Sequence, residues 1–162
     1  MDIAAFTIDR QSIIQACRDA ACLGAKVRML VDRKNAICGS VRDQPKLRGE
    51  LASRATKVQV RVLEGGSLQK EYQAVGRRYT TDYKGSMRCK FVRVDQELLL
   101  GSCNWTTASR ANFEARVKIT LRDDGRMERF FNAMWDQATV LTPEDIEAAI
   151  KYASSSSSSR RS

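Results

Sequence analysis

From Lys57 to Leu63 the chain alternates strictly, with Val58, Val60 and Val62 set against Lys57, Gln59 and Arg61. A period of two places the valines on one face, so the segment is a strand with one side against a core. Two more strands are expected upstream, at residues 1–8 and from Lys26 to Val31. Between them Ile13, Ile14, Cys17 and Ala21 share one helical face, with Asp9 as the expected N-cap and Gly24 as the residue that ends the helix. A further helix is expected from about Pro45 to Ala55, with its proline near the start. This β-α-β-α-β rhythm predicts an α/β domain built on a mixed central sheet flanked by helices.

Residues 65–87 are the least regular part. They hold Gly65-Gly66, Gly76-Arg77-Arg78-Tyr79 and Tyr83-Lys84-Gly85. A short helix through Leu68, Tyr72 and Val75 is one reading, and a long loop whose arginines and tyrosines suit phosphate contacts is the other. Strands are expected at Arg88 to Asp95, Glu97 to Leu100 and Glu114 to Leu121. Met127, Phe130, Phe131, Met134, Trp135 and Ala138 then recur at helical spacing as a core stripe. Thr142-Pro143-Glu144-Asp145 reads as a capping box opening a last helix through about Tyr152. The domain is expected to span 1–153, and the Ser/Arg tail 154–162 to be disordered. Opening a domain on a core strand points to a chain truncated at its N-terminus.

Charge and composition narrow the partners. The net charge of +9 favours polyanions, either nucleic acid or anionic lipid headgroups. The chain contains no histidine, which removes the commonest general base and metal ligand together. Its five cysteines (Cys17, Cys22, Cys38, Cys89 and Cys103) form no CxxC pair and are expected to be free thiols of an intracellular protein. No metal or cofactor is implied. No apolar run approaches the roughly 20 residues of a membrane span, and the N-terminus has no basic n-region of a signal peptide.

The informative stretch is Arg88-Cys89-Lys90, then Asp95, then Gly101-Ser102-Cys103-Asn104-Trp105-Thr106-Thr107, then Asn112-Phe113-Glu114. It resembles the phospholipase D superfamily, whose signature is His-x-Lys-x4-Asp, a spacer, Gly-Ser-x-Asn and a later Asn-x-Glu. The wording around the motif is most similar to the mitochondrial cardiolipin hydrolase (Zucchini-type) branch. The resemblance implies Lys90, Asp95, Ser102, Asn104 and Glu114 as site residues. It implies a phosphodiester ligand, on nucleic acid or phospholipid, and a homodimer that pairs two single-motif copies. It leaves cytoplasm and mitochondrial surface equally open.

The chemistry of these positions is coherent. Residues 88 and 90 share a strand face, so two cations reach one pocket. Lys90 offers a point charge to a phosphate oxygen, while Ser102 and Asn104 add neutral donors. Arg77 and Arg78 are expected to extend the same phosphate-binding surface. Asp95 falls on the opposite face from Lys90 by parity, which gives it a structural role. Cys89 likewise points away from the pocket.

Two departures matter. The family's nucleophilic histidine is replaced by Arg88, and arginine has no lone pair with which to attack phosphorus. The spacer from Asp95 to Gly101 is also one residue shorter than usual, which bears on the local loop geometry. In the family the Asn-x-Glu glutamate steadies the histidine ring, so an Arg88–Glu114 ion pair is expected here. Three functions remain open: a degenerate binder of phosphodiesters, a phosphodiesterase with an unorthodox nucleophile or a histidine from another chain, and an inactive partner of an active paralogue.

Overall fold

A computed structural model describes residues 1–38, 57–74, 76–122, 125–142, 144–145 and 147. The helix expected near 45–55 and the tail 154–162 lie outside these. The described elements are β1 (Asp2–Ala5), α1 (Gln11–Cys22), β2 (Arg28–Asp32), α2 (Arg33–Cys38), β3 (Gln59–Ala74), β4 (Arg77–Ser86), β5 (Phe91–Val94), β6 (Glu97–Gly101), β7 (Arg116–Thr120), α3 (Arg126–Gln137) and β8 (Thr139–Val140).

The strands form one mixed sheet in the order β4-β3-β2-β1-β5-β6-β7, with β8 beside β3. β1, β2 and β3 run parallel, joined in register through Ile3, Met29 and Val60. β5 returns antiparallel to β1, with Ile3 opposite Val92, and β6 and β7 continue antiparallel. The expected α/β class with a mixed sheet is therefore the observed one.

Alternation along the strands feeds two cores. Ile3, Ala5, Met29, Val31, Val60 and Val62 meet Ile14, Cys17 and Ala21 of α1. Ala4, Leu30, Phe91 and Leu98 meet Phe131 and Trp135 of α3 on the other face. Phe131 is fully buried and stacks on Trp135 with centroids 5.7 Å apart. Phe130, expected in the same stripe, is half-exposed. The buried line of α3 runs through Phe131 and Trp135, and Phe130 lies at its margin.

Local expectations met mixed outcomes. Thr142 and Asp145 do form a reciprocal capping box: the Asp145 N–H donates to Thr142 Oγ1 and the Thr142 N–H to Asp145 Oδ2, both at 3.2 Å. Gly24 does close α1, with φ +95° and its N–H on the Ala21 carbonyl. Asp9 does not cap α1. Arg10 holds the N-cap position, and Asp9 Oδ1 accepts the Thr107 N–H at 2.7 Å instead. The first strand stops at Ala5, although Ile8 makes an isolated bridge to Trp105.

The largest correction concerns residues 65–87, whose described residues form neither a helix nor a long loop. β3 outruns β2 beyond Leu63 and pairs with β4 as a two-stranded arm, from Glu64 opposite Ser86 to Ala74 opposite Arg77. Gly65 and Gly66 form a bulge where the register shifts. A Cβ on Gly65 would stand 2.3 Å from the Gly85 carbonyl carbon, so only glycine permits this crossing.

Candidate functional site

Four chain segments converge where β1 ends and β5 begins. Phe6 follows β1, and Arg88 and Lys90 precede β5. Gly101 and Ser102 close β6, and Asn112 and Glu114 precede β7. Because β5 and β7 run opposite to β1 and β6, these four ends lie along one edge of the sheet. Met87 ties that edge to the end of β2, its N–H donating to the buried Asp32 Oδ2 at 2.9 Å. Ligands of α/β sheets sit at such carboxyl ends of parallel strands.

The strand expected from Arg88 is shorter than read. Pairing starts at Phe91, and residues 88–90 lie outside the ladder. The Gly101 N–H nonetheless donates to the Lys90 carbonyl at 3.2 Å, which sets Lys90 against the Gly-Ser-x-Asn turn. The Arg88 guanidinium lies 4.7 Å and the Lys90 ammonium 5.5 Å from the centroid of the Phe6 ring. Two cations on one ring repel each other, and an anion between them would relieve the repulsion. Lys90 Nζ also donates to the Arg88 carbonyl at 3.4 Å.

The turn after β6 is held from three sides. Ser102 Oγ donates to Glu114 Oε2 and accepts the Ala115 N–H at 3.2 Å, while the Ser102 N–H donates to the Ala115 carbonyl. Asn112 Nδ2 donates to Glu114 Oε1 at 3.2 Å. Trp105 locks the turn to the β1–α1 connection: its N–H donates to the Thr7 carbonyl, and its carbonyl accepts from Asp9 and Arg10. Asn104 Oδ1 is buried with no partner among the described residues, so its amide keeps hydrogen-bonding capacity. Gly101 is required sterically, because a Cβ there would fall 2.2 Å from the Ala115 carbonyl oxygen.

Electrostatics keep Glu114 charged. Hydrogen bonds from Ser102 and Asn112 hold its carboxyl below the usual glutamate range, and the Lys90 and Arg116 charges act in the same direction. The expected Arg88–Glu114 ion pair is not formed. Both residues are described; Arg88 is placed on Phe6, and the Glu114 oxygens are occupied by Ser102 and Asn112. Cys89 packs toward the α3-side core, away from this edge as expected, and burial raises its thiol pKa. Cys103 is buried, with its sulfur accepting from the Arg116 guanidinium. Cys17, Cys22, Cys89 and Cys103 are free.

Other predicted residues lie elsewhere. Asp95 sits at φ +51° in the two-residue turn between β5 and β6, at the far end of β5 from Lys90. The register runs unbroken from Val94 opposite Glu97 to Phe91 opposite Leu100. The short spacer is therefore taken up by this tight turn and leaves Gly101 against Lys90. Arg77 and Arg78 stand at the tip of the β3–β4 arm, nine residues of strand from its base at Ser86, or roughly 30 Å at ~3.3 Å per residue. A cleft of about 530 Å³ beside the Asp95 turn, lined by Arg93, Met127, Glu128 and Phe130, is likewise remote from Lys90. Its Arg93 is engaged with Asp2 and Glu128. Sequence reasoning missed Phe6, which it read as part of a strand over residues 1–8 and which the structure places just after β1.

A mixed sheet that gathers a cation pair, a Gly-Ser-x-Asn turn and an Asn-x-Glu carboxylate at one edge defines a phospholipase D-like domain. Within that class the chain belongs to the family described as "Cardiolipin synthase, PLD-like domain", which matches residues 1–135. Among solved structures, NucT from Helicobacter pylori aligns with a TM-score of 0.65 at 22% identity, over 86% of this chain and 80% of its own. Nuc from Salmonella typhimurium, a phospholipase D family member, aligns with a TM-score of 0.64 at 17% identity, over 86% and 79%. The archaeal chromatin protein TrmBL2 aligns with a TM-score of 0.50 at 16% identity, over 86% of this chain and 46% of its own. These likenesses show the shared fold. No curated protein sequence matches the chain. No described helix is long and apolar enough to cross a membrane.

Proposed function

We propose that this domain binds phosphodiesters at the edge formed by Arg88, Lys90, Ser102 and Asn104, and does not cleave them through a phosphohistidine. The observation that carries this reading is the absence of histidine from all 162 residues. Arg88 stands two residues before Lys90, where the family motif has its nucleophile. A guanidinium cannot attack phosphorus, and a two-fold partner would bring only a second arginine. The placement of Arg88 and Lys90 on one ring supports anion binding at that spot. A single motif copy supports a homodimer with facing sites, and so does Phe113, which stands fully exposed between Asn112 and Glu114. The Asn104-Trp105-Thr106-Thr107 wording supports placement near the mitochondrial cardiolipin hydrolase branch. TrmBL2 is described as binding DNA in a novel mode, which keeps nucleic acid among the candidate phosphodiesters.

Titration of a labelled single-stranded oligonucleotide tests the reading. Binding is expected to weaken with added salt and to fall in Lys90→Ala. Salt-independent binding, or binding indifferent to Lys90→Ala, would remove this edge as the site.

A further inference from the structure

β7 ends one side of the sheet, and among the described residues no strand lies beyond it. Its residues, Arg116 to Thr120, are all exposed. The direction of its backbone groups follows from its pairing with β6. The Ser102 N–H donates to the Ala115 carbonyl at 3.1 Å, and the Leu121 N–H donates to the Gln96 carbonyl at 2.7 Å. Bonded pairs of an antiparallel ladder recur at every second residue, so Val117 and Ile119 also turn their N–H and C=O groups toward β6. Arg116, Lys118 and Thr120 turn theirs away from the sheet. Such a row of outward backbone groups is a template for an incoming strand.

The two faces of β7 differ in chemistry. Val117 and Ile119 stand opposite Leu100 and Leu98, on the α3 side of the sheet. Leu98 is buried there, whereas Leu100, Val117 and Ile119 are 37, 52 and 41% exposed. Ile119 also lines the cleft beside the Asp95 turn, together with the half-exposed Phe130. Arg116, Lys118 and Thr120 take the other face. Lys118 pairs with Glu97 at 3.0 Å, yet its side chain is 72% exposed, so a second carboxylate can reach it.

We propose that the β7 edge receives a strand of a partner protein in which acidic and apolar residues alternate. Residues of that strand opposite Val117 and Ile119 would extend the apolar row, and those opposite Arg116 and Lys118 would meet cations. Outward N–H and C=O groups at strand spacing select a polypeptide backbone. Charge selects against a second copy of this chain. β7 laid antiparallel on itself about residue 117, 118 or 119 would set Arg116 opposite Lys118, Lys118 opposite Lys118, or Arg116 opposite Arg122. Like charges directly opposite one another destabilise a strand pair.

The probe is a capped fluorescent peptide of about seven residues, strand length, that alternates glutamate and valine. Its controls are a peptide alternating lysine and valine, and one with the same glutamates and valines in two blocks. The full chain is expected to bind the first peptide and neither control. Binding should slow exchange of the Arg116, Lys118 and Thr120 amides, whereas those of Val117 and Ile119 are already protected by β6 in the free chain. Lys118→Glu should weaken the acidic peptide by about tenfold and create binding of the lysine–valine peptide. Thr120→Pro removes one outward N–H without touching the ladder to β6, and should weaken the acidic peptide at unchanged thermal stability. Lys90→Ala should leave peptide binding as it is. Equal binding of the block peptide, or loss in Lys90→Ala with none in Lys118→Glu, would overturn the inference by assigning the peptide to general charge or to the phosphate edge. Outward amides already protected in the free chain would also overturn it, because the edge would then be taken by this chain or by a second copy.

Discussion

The Arg88 guanidinium lies 4.7 Å from the centroid of the Phe6 ring. This contact joins the loop after β1 to the segment before β5, the two ends between which a phosphate would sit. A cation–π contact at a partly exposed site contributes about 0.5–1 kcal/mol. Phe6→Leu removes the ring and keeps an apolar side chain. The variant is expected to lose about that much stability in urea titration, and to bind a short oligonucleotide severalfold more weakly. Unchanged values in both measurements would show that Phe6 does not position Arg88.

Gly101 offers a steric test. Gly101→Ala drives a Cβ into the Ala115 carbonyl oxygen at 2.2 Å, where only backbone can yield. A cost of about 1–3 kcal/mol is expected, with loss of phosphodiester binding as the Ser102–Glu114 hydrogen bond is displaced. Gly24→Ala is the control. It meets nothing within 4 Å and suffers only its φ of +95°, so it should cost about 1 kcal/mol and leave binding intact.

Asp2 makes the fold sensitive to acid. Burial alone would raise its carboxyl pKa, but hydrogen bonds and charge from Arg28 and Arg93 hold it below the ordinary 3.8. A lowered carboxylate pKa stabilises the fold fully above the unfolded value, and that stability is lost as pH falls through the folded one. The contribution of Asp2 should therefore be constant with pH near neutrality and decline as pH falls below 3.8. Asp2→Asn leaves Arg28 and Arg93 without their buried partner and should cost about 3 kcal/mol at neutral pH. It should also flatten the acid decline, measurable by denaturation across pH.

The sequence was most readable where one face of an element is buried. Val58, Val60 and Val62 alternate because they face α1, and Phe131 and Trp135 recur because they face the sheet. Beyond Leu63 the β3–β4 ladder shows no apolar period of two in the sequence, so periodicity did not reveal it. Gly65, Gly66, Gly76 and Gly85 read as loop punctuation, whereas they form the bulge and the turn of one continuous ladder. At the site, the motif placed Lys90, Ser102, Asn104 and Glu114 at one edge. It could not tell that Glu114 would be taken by Ser102 and Asn112, because that choice depends on how the segment before β7 meets the turn. Parity set Asp95 on the opposite strand face from Lys90, whereas it lies in the turn at the far end of β5, and its positive φ belongs to the hairpin and has no signature in the spacing.

Hydrolysis of a generic chromogenic phosphodiester by the purified protein and by Arg88→His tests the central claim most directly. The hairpin turn at Asp95 keeps Gly101 against Lys90 despite the short spacer, so the histidine would enter an edge that is otherwise assembled. The account predicts no turnover by the unmodified protein, turnover by Arg88→His, and loss of that turnover in Arg88→His/Lys90→Ala. Turnover by the unmodified chain that co-purifies with it and disappears in Lys90→Ala would contradict the account.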